Sequence, residues 1–121
     1  MKLIFIYNAN SGFLDKILDG AHKIVSPSTY NCNLCAITFG NFTEDELWKE
    51  FRKNTPVTME FIYKDKFLQL YNSRNLHPLT YPTILIETAT NLELFISSEI
   101  LNEMTSSESL IEEITKRLTL Y

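Results

Sequence analysis

Short apolar runs of strand length alternate along this chain with stripes of helical periodicity, and their order constrains the fold more than any single residue does. Leu3-Ile4-Phe5-Ile6-Tyr7 is a continuous apolar run, and Asn8-Ala9-Asn10-Ser11-Gly12 after it supplies turn residues and two candidate helix caps. From Phe13 the apolar residues fall at Phe13, Leu14, Ile17, Leu18, Ala21, Ile24 and Val25, the spacing of a helix with one buried face, which Ser26-Pro27 ends. Ala36-Ile37-Thr38-Phe39 is β-branched and aromatic and is bounded by Gly40-Asn41, which predicts a second strand beginning as early as Cys32. Thr43-Glu44-Asp45-Glu46 then predicts a capping box with Thr43 as the cap, opening a helix that carries Leu47, Trp48 and Phe51. Asn54-Thr55-Pro56 stops it.

Val57, Met59, Phe61 and Tyr63 alternate with polar residues and predict a third strand, after which Asp65 caps a short helix holding Phe67, Leu68, Leu70 and Tyr71. Asn72 to Thr80 is a polar loop. Thr83-Ile84-Leu85-Ile86 and Leu92-Glu93-Leu94-Phe95-Ile96 flank turn residues at Ala89-Thr90-Asn91 and predict an antiparallel hairpin. A last helix places Leu110, Ile111, Ile114 and Leu118 on one face, with Ser106 or Ser107 as its cap. Three strand-helix units ahead of a hairpin predict one α/β domain over residues 1–121, three-layered, with a central mixed β-sheet and helices on both faces.

Composition agrees with that reading. A chain of 121 residues that is 45% apolar and 21% charged is long enough to bury a real core, roughly two-thirds of its surface on folding. With a formal net charge of -4 and basic residues scattered at Lys49, Arg52, Lys53, Lys64, Lys66, Lys116 and Arg117, no basic field of the kind nucleic acids require is present. The run from Leu3 to Tyr7 is too short for a signal-peptide core or a membrane span, so no membrane partner is expected. The expected compartment is cytoplasmic, because two cysteines three residues apart cannot staple a fold.

The nine-element order, together with Tyr81-Pro82 leading straight into the fourth predicted strand, resembles a thioredoxin-like fold. That resemblance implies a cis proline at Pro82 facing an active site. In the family the Cys-x-x-Cys stands between the second strand and second helix, where this chain has Gly40-Asn41-Phe42-Thr43. If Ala36 to Gly40 is extended, Cys35 lies roughly 15 Å from that loop, and Cys35 and Pro82 fall toward opposite ends of the sheet. The chain also resembles a family of small uncharacterised bacterial proteins of this length, some labelled GTPase. The residues carrying this likeness are Tyr7-Asn8-Ala9-Asn10-Ser11-Gly12, Ala21-His22-Lys23-Ile24, Ser26-Pro27-Ser28-Thr29-Tyr30 and Cys32-Asn33-Leu34-Cys35-Ala36-Ile37-Thr38-Phe39-Gly40. Nothing after the first strand offers the Gly-x-x-x-x-Gly-Lys-Ser/Thr of a P-loop.

Cys32 and Cys35, the only two cysteines, are the residues with most chemistry to offer. A dithiol at this spacing closes into a disulfide, or supplies two thiolates to a soft metal such as zinc, or packs as two small apolar side chains. Following a predicted helix C-terminus, whose partial negative charge disfavours thiolate, the pair is expected to serve metal or packing rather than disulfide exchange. His22, ten residues ahead of Cys32, completes a candidate metal set of Cys32, Cys35 and His22, with Asp19 or water as fourth ligand and His77 too distant in the topology. Ser11 is read as a cap rather than a nucleophile, and the loop from Asn8 to Gly12 as a general anion-friendly helix start. Glu44, Asp45 and Glu46, like Glu108, Glu112 and Glu113, are read as solvated charge at helix starts, and Phe39, Phe42, Trp48 and Phe51 as core. Three functions follow: a metal-binding or redox Cys-x-x-Cys protein, a non-enzymatic module binding a small molecule or protein with packing cysteines, or a GTPase-labelled protein without a P-loop.

Overall fold

The computed structural model describes residues 1–8, 33–39, 44–71 and 79–121. Four strands, β1 (Lys2–Tyr7), β2 (Thr58–Tyr63), β3 (Thr83–Glu87) and β4 (Leu92–Ile96), form one sheet in the order β2-β1-β3-β4. β1 runs parallel to β2 and antiparallel to β3, and β3 runs antiparallel to β4. Parallel neighbours need a crossover. Between β1 and β2, the described residues form α1 (Asn33–Phe39) and α2 (Glu46–Asn54). α3 (Lys64–Leu70) follows β2 directly, and α4 (Ser98–Glu103) and α5 (Ser107–Leu118) follow the hairpin.

β1 is the central strand, which explains its unbroken apolar run: Leu3, Ile4, Phe5 and Ile6 are all fully buried because both faces of the sheet are covered. Alternation divides them. Leu3, Phe5 and Tyr7 join Ile84 and Ile86 in a core with Leu34, Cys35 and Ile37 of α1, Trp48 of α2, Leu101 of α4, and Leu110 and Ile114 of α5. Ile4 and Ile6 join Ile62, Leu85 and Phe67 of α3 on the other face. The expected mixed sheet with helices on both faces is therefore present.

β4 contributes Phe95 and Ile96 to the same core although they are consecutive residues. The register accounts for this. Ile84 pairs with Ile96 while Leu85 pairs with Leu94, so Phe95 is an extra residue in a bulge that turns two successive side chains inward. The hairpin turn is held by Thr88, whose backbone N–H donates to the Asn91 carbonyl at 2.8 Å and whose hydroxyl accepts from the Asn91 N–H at 3.1 Å.

Several expectations need correction. The predicted second strand over Ala36-Ile37-Thr38-Phe39 is helix α1. Leu34, Cys35, Ile37 and Thr38 are all buried, which is helical rather than alternating spacing. Thr38, the β-branched residue least suited to a helix, donates its hydroxyl to the Leu34 carbonyl one turn back at 2.7 Å. The cap of α2 is Asp45 rather than Thr43, with its carboxylate accepting from the Trp48 N–H at 3.1 Å. Asp65 does not cap α3 but lies in its first turn, where the helix dipole still favours an acid. Ser106 caps α5 as expected, and α4, capped by Ser97, is an element the periodicity did not separate from its neighbours. The predicted helix from Phe13 to Val25, the loop residues 72–78, Thr43 and Phe42 lie outside the described residues. Among the described residues no helix is long and apolar enough to cross a membrane.

Candidate functional site

Cys35 is the third residue of α1, is 3% exposed, and sits in the larger core with Leu34 and Ile37. It is disulfide-bonded. Cys32, the only other cysteine in the chain, lies outside the described residues, as do His22, Asp19, Ser11 and His77. Among the described residues no group of three or more His, Cys, Asp and Glu side chains could hold a metal ion. Two of the three expected ligands, Cys32 and His22, are not among them.

Helix α1 is tied to its surroundings at both ends. At its start, the Asn33 side-chain amide donates to the Leu101 carbonyl at 2.6 Å and to the Met104 carbonyl at 2.7 Å, joining α1 to the end of α4. Near its end, Thr38 hydrogen-bonds the side chain of Tyr7, the last residue of β1. The Thr38 carbonyl accepts from the Asp45 N–H at 2.7 Å, which turns the chain into α2. Asp45 in turn accepts from the Ser107 hydroxyl at 2.6 Å, so one carboxylate joins the starts of α2 and α5. The Ser107 hydroxyl, followed by the backbone N–H groups of Trp48 and Leu47, holds the Asp45 carboxyl below its ordinary value despite some burial. Beside these, Arg52 makes a two-pronged pair with Glu44 at 2.8 and 2.9 Å.

Tyr7 is 5% exposed, and burial pushes its phenol far above the ordinary value, with the Thr38 bond opposing. It marks one end of the sheet. Ile6, its neighbour, pairs with Thr83, so Pro82 stands at that same end of the sheet. The Tyr81-Pro82 bond is cis. Thr80, two residues earlier, hydrogen-bonds the side chain of Ser98 at the start of α4. The expected separation of Cys35 from Pro82 assumed an extended Ala36 to Gly40, and a helix over Asn33–Phe39 that reaches Tyr7 through Thr38 removes that premise. Asn33 and Ala36 also border an open groove of about 620 Å³ between α1, the start of α2 and the turn from α4 to α5.

The acidic residues divide as structural charge: Asp45 caps, Glu44 pairs with Arg52, Glu113 lies 3.4 Å from Arg117, and Glu108 is in the first turn of α5. Asn33, Thr38 and Tyr7 were not singled out from the sequence. The one signal for Asn33 was its place between the two cysteines, a polar side chain ahead of an apolar stretch.

The fold and site define an α/β protein built on a mixed four-stranded sheet, with a disulfide-bonded cysteine in a short helix packed on its larger core. No protein-family model, curated protein or solved structure matches the chain.

Proposed function

We propose that this protein has a thioredoxin-like fold and acts as a small thiol–disulfide protein through Cys32 and Cys35. The observation that carries the reading is Cys35 itself, disulfide-bonded within the first turn of α1. A sulfur in a disulfide has no thiolate to offer a metal, which favours the redox reading over the zinc reading. Supporting it, β1 and β2 are parallel across a helical crossover, β3 and β4 are an antiparallel hairpin, and Pro82 leads into β3. In the exchange, one thiolate of a partner dithiol attacks one sulfur of the disulfide and the other sulfur leaves as thiolate. The partner's second thiolate then attacks its own sulfur in the mixed disulfide and expels the first, so both protein sulfurs take protons as thiols and the partner departs as its own disulfide.

Thiol titration with and without dithiothreitol tests this. The expected result is no titratable thiol in the oxidised protein, two after reduction, and a return to none on re-oxidation. Two free thiols that survive mild oxidation would overturn it. One equivalent of zinc in protein purified without chelator, lost in Cys32→Ser, Cys35→Ser and His22→Ala, would establish the metal site of Cys32, Cys35 and His22 instead. Partner binding that survives replacement of both cysteines would favour the binding module.

A further inference from the structure

Two residues, Asn33 and Leu34, separate the cysteines in sequence, and their side chains go to different places. Leu34 is fully buried in the larger core. The Asn33 amide instead reaches 68 and 71 residues along the chain, to the carbonyls of Leu101 and Met104. Carbonyls at the end of a helix have no partner within it. The Met104 N–H already closes α4 on Leu101 at 3.2 Å, and Asn33 adds a second donor to Leu101 and one to Met104, acting as a cap for α4 from the neighbouring helix. At its other end α4 is held by the bond between Ser98 and Thr80, two residues from Pro82. α4 therefore bridges the cysteine-bearing helix and the Pro82 segment, and Asn33 is its link to the former.

We propose, resting on the thiol reading above, that Asn33 is the positioning residue of this site: its grip on α4 favours the disulfide over the dithiol. A disulfide between cysteines three apart closes a small ring that contains the Asn33 backbone. Within such a ring the backbone of Asn33 is already restrained, so fixing its amide on two carbonyls costs less ordering than in the open dithiol. Linkage makes the effect reciprocal: whatever factor the grip adds to the disulfide equilibrium, the disulfide adds to the grip. Reduction of the ring by dithiothreitol breaks one S–S bond, forms two S–H groups and releases the reagent as its cyclic disulfide.

The test uses the full chain with Asn33→Ala and Asn33→Asp. Each is equilibrated with graded ratios of reduced and oxidised dithiothreitol, the disulfide fraction being read by alkylation and mass spectrometry, and each redox form is unfolded in urea. For N33A the disulfide equilibrium constant is expected to fall about fivefold, the loss of roughly one hydrogen bond's net contribution. N33D, similar in shape but setting a carboxylate against two carbonyls, is expected to fall further. In both variants the disulfide form loses more stability than the dithiol form, by the same factor. Asn33→Ser, which leaves one donor, is expected to shift the same way and less, and serves if N33A does not fold. A reversible wild-type disulfide whose equilibrium constant is unchanged in N33A, with both redox forms equally destabilised, overturns this inference alone and leaves Asn33 a helix cap. A wild-type chain that forms no reversible disulfide overturns the thiol reading, and this inference with it.

Discussion

The two faces of the sheet differ in what covers them. Among the described residues, α1, α2, α4 and α5 all bury side chains on the face of Leu3, Phe5 and Tyr7, whereas α3 alone does so on the face of Ile4 and Ile6. The first core is larger, is built around aromatic rings, and contains Cys35. Trp48 lies at its centre, with ring centroids 5.5 Å from Phe5, 5.8 Å from Phe51 and 6.4 Å from Phe61. The second core is smaller and is bordered by polar pairing, with Lys2 3.0 Å from Glu60 and 3.6 Å from Glu87. The difference assigns stability chiefly to the face that also holds the candidate site.

That assignment is most exposed to deletion of its largest side chain. Trp48→Ala is expected to cost about 3–5 kcal/mol in urea unfolding, and Phe67→Ala on the other face nearer 3 kcal/mol, because a core of fewer residues relaxes more easily. Equal costs would erase the distinction between the faces. Trp48→Phe is expected to cost much less than the alanine variant, since the buried indole N–H has no hydrogen-bond partner among the described residues and its removal leaves none of them unsatisfied.

Next in size is Asp45, which serves only the larger face. Asp45→Ala is expected to lose about 1–2 kcal/mol through the cap of α2, with the Ser107 bond lost as well. Its carboxyl is held below the ordinary value in the fold. The corresponding stability is therefore complete above the unfolded value near 3.8 and lost as pH falls through the lower folded value. A melting series from pH 6 to pH 2 checks this, with Asp45→Asn flattening the acid limb. Tyr7→Phe is expected to cost about 1 kcal/mol at neutral pH by removing the Thr38 bond. Because the folded phenol is held protonated, the wild type loses stability as pH rises above 10, and Y7F does not share that loss, so the two curves converge in alkali. The smallest effect belongs to the other face: Lys2→Met is expected to change stability by about 0.5 kcal/mol, and by less in high salt.

Much of this arrangement was readable from the chain. β1, the β3–β4 hairpin, the face of α5 and its Ser106 cap follow from spacing and cap chemistry, because in each the local preference and the tertiary environment agree. α1 was not readable, since Leu34-Cys35-Ala36-Ile37-Thr38-Phe39 is apolar or β-branched throughout and a continuous run carries no period. What makes it helical is contact with Tyr7, α4 and the core, together with Thr38 satisfying itself on Leu34. An extended reading of that one segment is what sets Cys35 apart from the Pro82 end of the sheet, and the helix removes that reason. The Asn33 bonds span 68 and 71 residues, a separation at which local pattern has nothing to say.

The bulge at Phe95 also bears on how copies of this chain meet one another. An ordered four-strand sheet offers two outer ladders of backbone groups, here on β2 and β4 among the described residues. On β4 the extra residue breaks the regular repeat that an incoming strand would have to match, making it a poor template for self-association. β2 has no such irregularity in its pairing, so among the described residues it is the more regular of the two outer ladders.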